Sequence, residues 1–310
     1  MELLKFREHT YLQKLRVLEK YAYVHKIMHM HYKNVVYIDT HAGTGKIVIE
    51  TDRGYYEADG SPLIMAKTGV ECYFIELDYK YYRTLKVNAK RYSNVTVIHG
   101  DCNEEVPRLL EMLREKYGYN KYVFLFIDPY SIVDGRSGKL EFKWRTLEII
   151  AEYRTEILFT FPAKVILRML GIVRSTSDAR KKILEDLCTY LGVDIDKLLW
   201  LMRKLSSIED VYERWKYLAK YLCKRLRDLN YPYTGAYLVY ERIRRGYSRL
   251  YWMLHATRNK TAGEIMRGIF VKLALGKTKY AKYYPLEEYI VDAEDSIRIL
   301  RQRRMTFYLK

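Results

Sequence analysis

The sequence predicts an α/β fold built on a mostly parallel, doubly wound sheet. Three observations predict it. Short apolar, β-branched runs recur at Val35–Ile38, Val70–Glu76, Val95–Ile98, Tyr122–Ile127 and Ile157–Phe161, and such runs read as strands buried on both faces. The first four close on or shortly before a carboxylate: Asp39, Glu76, Asp101 and Asp128. The first runs into Ala42-Gly43-Thr44-Gly45, a tight turn where glycine supplies backbone shapes that other residues resist. In doubly wound folds, a turn of this kind at the carboxyl edge of the sheet holds a cofactor.

The spelling of the turn narrows the ligand. A P-loop needs Gly-x4-Gly-Lys-Ser/Thr. Here Thr40 stands in place of the first glycine, and Ile47 in place of the hydroxyl. A dinucleotide site needs a third glycine and an acid about 20 residues on. Val48 holds the glycine position, and Asp52 and Glu57 come too early. What remains is a strand-end acid with a short glycine turn, as in S-adenosylmethionine (SAM) sites, or a purely structural strand–turn.

Length and composition set the bounds. A chain of 310 residues holds one large α/β domain with an insertion, or two domains. Hydrophobic residues make up 49%, enough for a core, and the net charge of +17 points to a polyanionic partner, nucleic acid first. The competing explanation is a basic thermophile surface, with which 32 tyrosines and scarce glutamine agree. Cys72, Cys102, Cys188 and Cys223 lie far apart without a C-x-x-C, which argues against a disulfide framework and against a zinc site. Cys72 and Cys102 are expected as small core residues on strands. No apolar run reaches about 18 residues and no signal peptide is evident, so a soluble, cytoplasmic protein is expected, with no membrane contact.

In chain order, helical spacing of Leu12, Leu15, Leu18 and Ala22 predicts a helix from about Thr10 to Tyr32. His25, His29 and His31 near its end lack the carboxylate of a zinc helix and are expected on a polar surface, so no metal is predicted. Ile47 to Glu57 reads as a strand pair around Arg53-Gly54. Ser61 is expected as a helix N-cap with Pro62 first in the helix, where hydroxyl and free amides can also hold a carboxylate. Glu76 can accept both hydroxyls of a ribose, and Asp101 the amino proton of an adenine. Asp128-Pro129-Tyr130 is the expected site of chemistry: the acid accepts a hydrogen bond from a substrate amine, and the aromatic stacks on a base taken out of its helix. Helices follow from about Val165 to Leu229. Gly235–Tyr240 and Leu250–Leu254 then form the antiparallel end of the sheet, and Ala262–Leu275 a last helix. Basic stretches at 174–182, 242–249 and 298–304 are candidate nucleic-acid contacts.

Read together, His9-Thr10-x3-Lys14-Leu15, YIDTHAGTG, Gly60-Ser61-Pro62-Leu63, FIELD, Gly100-Asp101-Cys102-Asn103, FIDPY and YWMLHATRNKTAGEIM resemble the three-Cys-motif partner family. The resemblance implies a class I methyltransferase fold and a separate partner protein bearing the cysteine motif. Several of the same blocks are similar to bacterial large-subunit ribosomal RNA adenine-N6 methyltransferases. By that resemblance Lys14 and Ser61 bind the methionine carboxylate end of SAM, and Asp39, His41, Ala42, Gly43 and Gly45 line the turn. Glu76 then binds ribose, Asp101 with Cys102 the adenine side, and Asp128, Pro129 and Tyr130 the target base. Amino-methyltransferases carry two prolines in the last motif; here one separates Asp128 from Tyr130.

The expectation is therefore a Rossmann-like class I methyltransferase fold with a seven-stranded, mostly parallel sheet and an antiparallel last strand. Its parts are an N-terminal helical segment (1–32), a core (33–165 and 234–276), a helical insertion (166–233) and a basic tail (277–310). The expected activity is SAM-dependent methylation of nucleic acid, RNA ahead of DNA, at an exocyclic base amine. The alternative is a non-catalytic nucleic-acid-binding protein on the same fold.

Overall fold

The computed structural model describes residues 4–31, 34–51, 54–118, 120–135, 137–172, 178–243 and 246–292. A short strand and a long helix open the chain, β1 (Leu4–Arg7) and α1 (Glu8–His31). The alternating part follows: β2 (Val35–Asp39), the hairpin β3 (Lys46–Thr51) and β4 (Gly54–Asp59), α2 (Ser61–Ala66), β5 (Glu71–Glu76), α3 (Tyr79–Ala89), β6 (Val95–His99), α4 (Cys102–Tyr117), β7 (Tyr122–Ile127), α5 (Trp144–Glu152) and β8 (Thr155–Phe161). Four helices come next, α6 (Ala163–Ile172), α7 (Asp178–Leu191), α8 (Ile195–Ser206) and α9 (Val211–Asp228). The chain then returns through β9 (Tyr233–Ile243), β10 (Gly246–Thr257), α10 (Lys260–Leu275) and β11 (Glu288–Val291).

The main sheet has eight strands in the order β11-β9-β10-β8-β7-β2-β5-β6. Only β10 is antiparallel to its neighbours, β8 and β9. This is the predicted Rossmann-like arrangement with one addition. The short strand β11 pairs parallel to β9 and makes the sheet one strand wider than expected. A second, three-stranded sheet joins β1 parallel to β3 and β3 antiparallel to β4.

The apolar runs are continuous because both faces of the sheet are covered. Val36 and Ile38 of β2 face a core shared with α4, α5 and the helices α6–α9. Val35 and Tyr37 of the same strand face the opposite core, shared with α1, α2 and α10. Leu198 and Leu201 of α8 and Leu218 and Leu222 of α9 lie in the same cluster as Val123 and Ile157, so the added helices extend the central core.

His25 corrects an expectation. It is fully buried, stacked on Phe124 at 4.8 Å, and its Nδ1 meets the Tyr21 carbonyl at 3.0 Å. Burial lowers its pKa, so it is a neutral core residue and not a surface group. The periodicity of α1 did not distinguish it from its exposed neighbours.

The chain order reverses at β2. It runs outward through β5 and β6, then crosses to β7 and β8 on the other side. The crevice outside the carboxyl ends of the strands at such a switch point is where open α/β sheets bind ligands.

Candidate active site at the carboxyl edge of the sheet

Adjacent strands β7, β2, β5 and β6 bring four acids to consecutive tips. Asp39 ends β2 and Glu76 ends β5, while Asp128 follows β7 and Asp101 follows β6. Asp39 is fully buried. It accepts hydrogen bonds from the Tyr37 hydroxyl at 3.0 Å, the His41 backbone N–H at 3.3 Å and the Ser61 hydroxyl. Burial pushes its carboxyl up to about 7, and the neighbouring Asp128 carboxylate pushes the same way.

The glycine turn hangs between two strands. Ala42 N–H donates to the Ile75 carbonyl at 3.0 Å, and Gly43 N–H donates to Glu76 Oε2 at 2.7 Å. Gly43 and Gly45 have φ of 61° and 77°, the left-handed region that the turn needed glycine for. At Gly45 a Cβ would also stand 2.8 Å from Leu85 Cδ1.

The second carboxylate oxygen of Glu76, Oε1, accepts the Asp78 N–H at 2.8 Å. Glu76 is thus already held by two backbone donors, each oxygen keeping one lone pair, and burial lifts its carboxyl to about 7. Asp101 caps α4: its Oδ1 accepts the Asn103 backbone N–H at 2.8 Å and the Asn103 side-chain amide at 2.9 Å. Oδ2 faces no bonded donor among the described residues. Cys102 is the first residue of α4, not the end of a strand as expected. It is buried, with Sγ donating to the Glu141 carbonyl at 3.3 Å.

Two other residues have partners that the sequence did not suggest. Lys14 reaches from α1 and pairs with Asp128 Oδ2 at 2.5 Å. Ser61 is the first residue of α2 and the N-cap is Gly60, because the Ser61 hydroxyl is engaged by Asp39 and not by its own helix.

A loop from Pro129 to Lys143 folds back over this edge. The Glu141 carboxylate accepts the backbone N–H groups of Tyr130 and Ser131, and burial raises it to about 7. The Glu141 carbonyl faces His41 Nε2 at 3.2 Å, so Nε2 carries the proton and Nδ1 accepts from the Thr40 hydroxyl at 2.7 Å. Burial holds the His41 pKa down to about 4, which keeps the ring neutral near pH 7. Asn103 Oδ1 clamps the far end, accepting from Lys143 N–H and the Thr146 hydroxyl, both at 2.9 Å. Pro129 is buried and Tyr130 projects outward, 87% exposed.

A small, partly open hollow of about 50 Å³ brings together Lys14, His41, Ala42, Gly43, Gly45, Ser61 and Asp128. Of the other expected residues, Glu76, Asp101, Cys102, Pro129 and Tyr130 do not line it, and Asp39 lies beneath it. The hollow suits a carboxylate or a few waters. A nucleoside needs the open edge beside Glu76, where Leu77 is 41% exposed.

Sequence reasoning missed Tyr37, Asn103, Glu141 and Leu77. Asn103 follows the Gly-Asp-Cys block directly and Leu77 follows Glu76, so both carried a local signal. Glu141 carried none, since a loop more than ten residues long returns it to Tyr130.

Among the described residues no group of three or more His, Cys, Asp or Glu is arranged to hold a metal ion, and no helix is long and apolar enough to cross a membrane. The basic segment at 298–304 lies outside the described residues. Side chains of the other two are described only for Lys181, Lys182, Ser248 and Arg249.

No family model matches the chain, and no curated protein matches it. Solved structures do. A DUF519-family protein from Legionella pneumophila is similar over 58% of this chain and 74% of its own, at 15% identity and a TM-score of 0.39. Precorrin-6y C5,15-methyltransferase from Geobacter metallireducens is similar over 77% of this chain and 87% of its own, at 11% identity and a TM-score of 0.34. The fold assignment stands on the strand order itself.

Proposed function

We propose that the chain is a SAM-dependent methyltransferase acting on nucleic acid, RNA ahead of DNA, at an exocyclic base amine. The observation that carries this reading is the row of acids on four adjacent strand tips, with the glycine turn between Asp39 and Glu76. The hollow supports it at the methionine end, where the Lys14 ammonium, the Ser61 hydroxyl and the Gly43–Gly45 backbone surround a space of carboxylate size. The open lone pairs of Glu76, and the Asp101 Oδ2 that meets no donor among the described residues, are acceptors for ribose hydroxyls and an adenine amine. SAM, when bound, supplies an electrophilic methyl group.

The chain's own residues then position the acceptor, the main device such a transfer requires. Asp128, paired with Lys14, accepts a hydrogen bond from the base amine. The Pro129 carbonyl accepts a second, and Tyr130, outward at the rim, stacks on the base. Lys14 serves both ends: the ammonium that holds Asp128 also faces the hollow for the cofactor carboxylate. Lys14→Gln is therefore expected to weaken SAM binding at least tenfold in calorimetric titration and to slow transfer further. An unchanged dissociation constant would remove Lys14 from the site.

Similarity of motifs to the three-Cys-motif partner family adds a proposed protein partner bearing the cysteines. The single proline before Tyr130 favours a second reading, a nucleic-acid-binding protein that keeps the fold without transfer. Incubation with methyl-labelled SAM and total RNA or DNA separates the two. Label in an RNA fraction, lost in Asp128→Asn, is the expected result. SAM binding without label in any pool would favour the second reading, and no SAM binding at all would overturn the first.

A further inference from the structure

Helix α3 and the strand after it carry positive charge alone. From Tyr79 to His99 there is no acidic residue, while Lys80, Arg83, Lys86, Lys90 and Arg91 are all exposed. None of the five has a carboxylate partner among the described residues. The next helix makes the contrast: on α4, Arg108 pairs with Glu105 at 2.6 Å and Arg114 with Glu111 at 2.5 Å, and Lys116 pairs with Glu71 at 2.8 Å. Cations left unneutralised on one face attract a polyanion.

Aromatic rings stand at the same place. Tyr79, 59% exposed, stacks on Tyr82 with ring centroids 6.1 Å apart, and His99 meets the two at 5.4 and 5.2 Å. Lys86 Nζ lies 5.8 Å from the Tyr82 ring. The His99 ring is fixed by donating from Nε2 to the Leu77 carbonyl at 3.0 Å. In the sheet register His99 is the partner of Glu76, so this cluster begins one strand spacing from the ribose acid. A charged row that tracks a backbone, beside flat rings that take bases of any identity, is the pattern of single-strand binding.

We infer that the α3–β6 face is a docking surface for a single-stranded polynucleotide, with phosphates along Lys80, Arg83 and Lys86 and a base on the Tyr79–Tyr82–His99 cluster. This deepens the proposed function and rests on its nucleic-acid part, not on methyl transfer. The surface would anchor the strand on the β6 side of the cofactor edge while the reacting base reaches Asp128 across it.

The test is fluorescence anisotropy of the full chain with a labelled 20-nucleotide single-stranded RNA, the same sequence as DNA, and the RNA duplex, each over a range of salt. The triple variant Lys80→Gln, Arg83→Gln, Lys86→Gln is expected to lose affinity at least tenfold and to flatten the log–log salt slope by about 2, close to 0.7 per lost phosphate contact. Tyr79→Ser is expected to lose roughly tenfold with the slope unchanged, as removal of a stacking platform should. Arg108→Gln, on the paired helix, serves as the control and should bind as wild type. Wild-type binding that the triple variant reproduces in affinity and slope overturns this inference and leaves the nucleic-acid reading intact. A wild-type chain that binds no strand at low salt overturns both. Preference for the duplex would also overturn it, since paired bases cannot stack on the rings.

Discussion

At the scale of single residues, Asp39 has the most unusual position. Its carboxyl lies under the glycine turn, held near 7 by burial against an ordinary value close to 4. Between those two pH values the folded chain keeps a proton that the unfolded chain has released. Stability from this group is therefore complete below pH about 4 and declines as pH rises toward 7. Asp39→Asn stays neutral throughout and its oxygen still accepts from Tyr37 and Ser61. The variant should gain on wild type by on the order of 2–4 kcal/mol between pH 4.5 and pH 8, read from urea unfolding at the two values. An equal difference at both would mean that Asp39 does not titrate in this window. The position of Asp39 was legible in the sequence, because a strand-end acid before a glycine turn is a local pattern. Its protonation was not, because desolvation comes from Tyr37, α2 and the neighbouring strands, which only the fold brings together. Lys14 shows the same limit: its presence near the turn could be expected, its pairing with Asp128 across more than a hundred residues could not.

At the scale of elements, β11 is the instructive case. It is four residues long, and no alternation marked it within a segment that reads as a basic tail. Its place is set by a cross-strand fit. The ring of Tyr289 lies over Gly235 on β9, where an added Cβ would meet ring carbons at 2.0 Å. That ring cannot swing aside, since Tyr289 is fully buried and its hydroxyl is bonded to His255 Nδ1. Gly235→Ala should therefore destabilise the chain by about 2–3 kcal/mol, as overpacking in a tight core does. Amide exchange at Ile290 and Val291 should rise at the same time. Loss of stability without added exchange in β11 would place the strain elsewhere. The central strands were readable because each is an apolar run closed by turn residues. The edge strands β1 and β11 were not, since two or three long-range partners decide them. The helices α4 and α5 flank the site, and their ends are fixed by Asp101 and by the loop that Asn103 clamps; that loop has no periodic signature.

At the scale of the whole molecule, the two ends of the sheet carry different duties. The carboxyl edge holds the acids and the glycine turn. Further along, near the start of β8, a buried polar cluster ties four elements together. Glu156 Oε1 meets His255 Nε2 of β10 at 2.5 Å and accepts the Tyr21 hydroxyl of α1, and His255 holds Tyr289 of β11. Glu156 and His255 are 1% and 0% exposed, so bulk solvent does not reach a lost partner. Glu156→Ala leaves the imidazole and a tyrosine hydroxyl without an acceptor in a dry interior, at a cost of about 3–5 kcal/mol. Glu156→Gln keeps an acceptor for one of them and should cost about 1–2 kcal/mol. Both should leave SAM affinity unchanged when measured well below the melting temperature. The strand partner of Glu156 is Phe124, four residues and about 13 Å along β7 from Asp128. The fully apolar strand between them has no polar group to relay a change. A Glu156→Gln chain that melts like wild type but loses SAM binding would mean that this cluster positions the active edge, and that stability and binding are not divided between the two ends of the sheet.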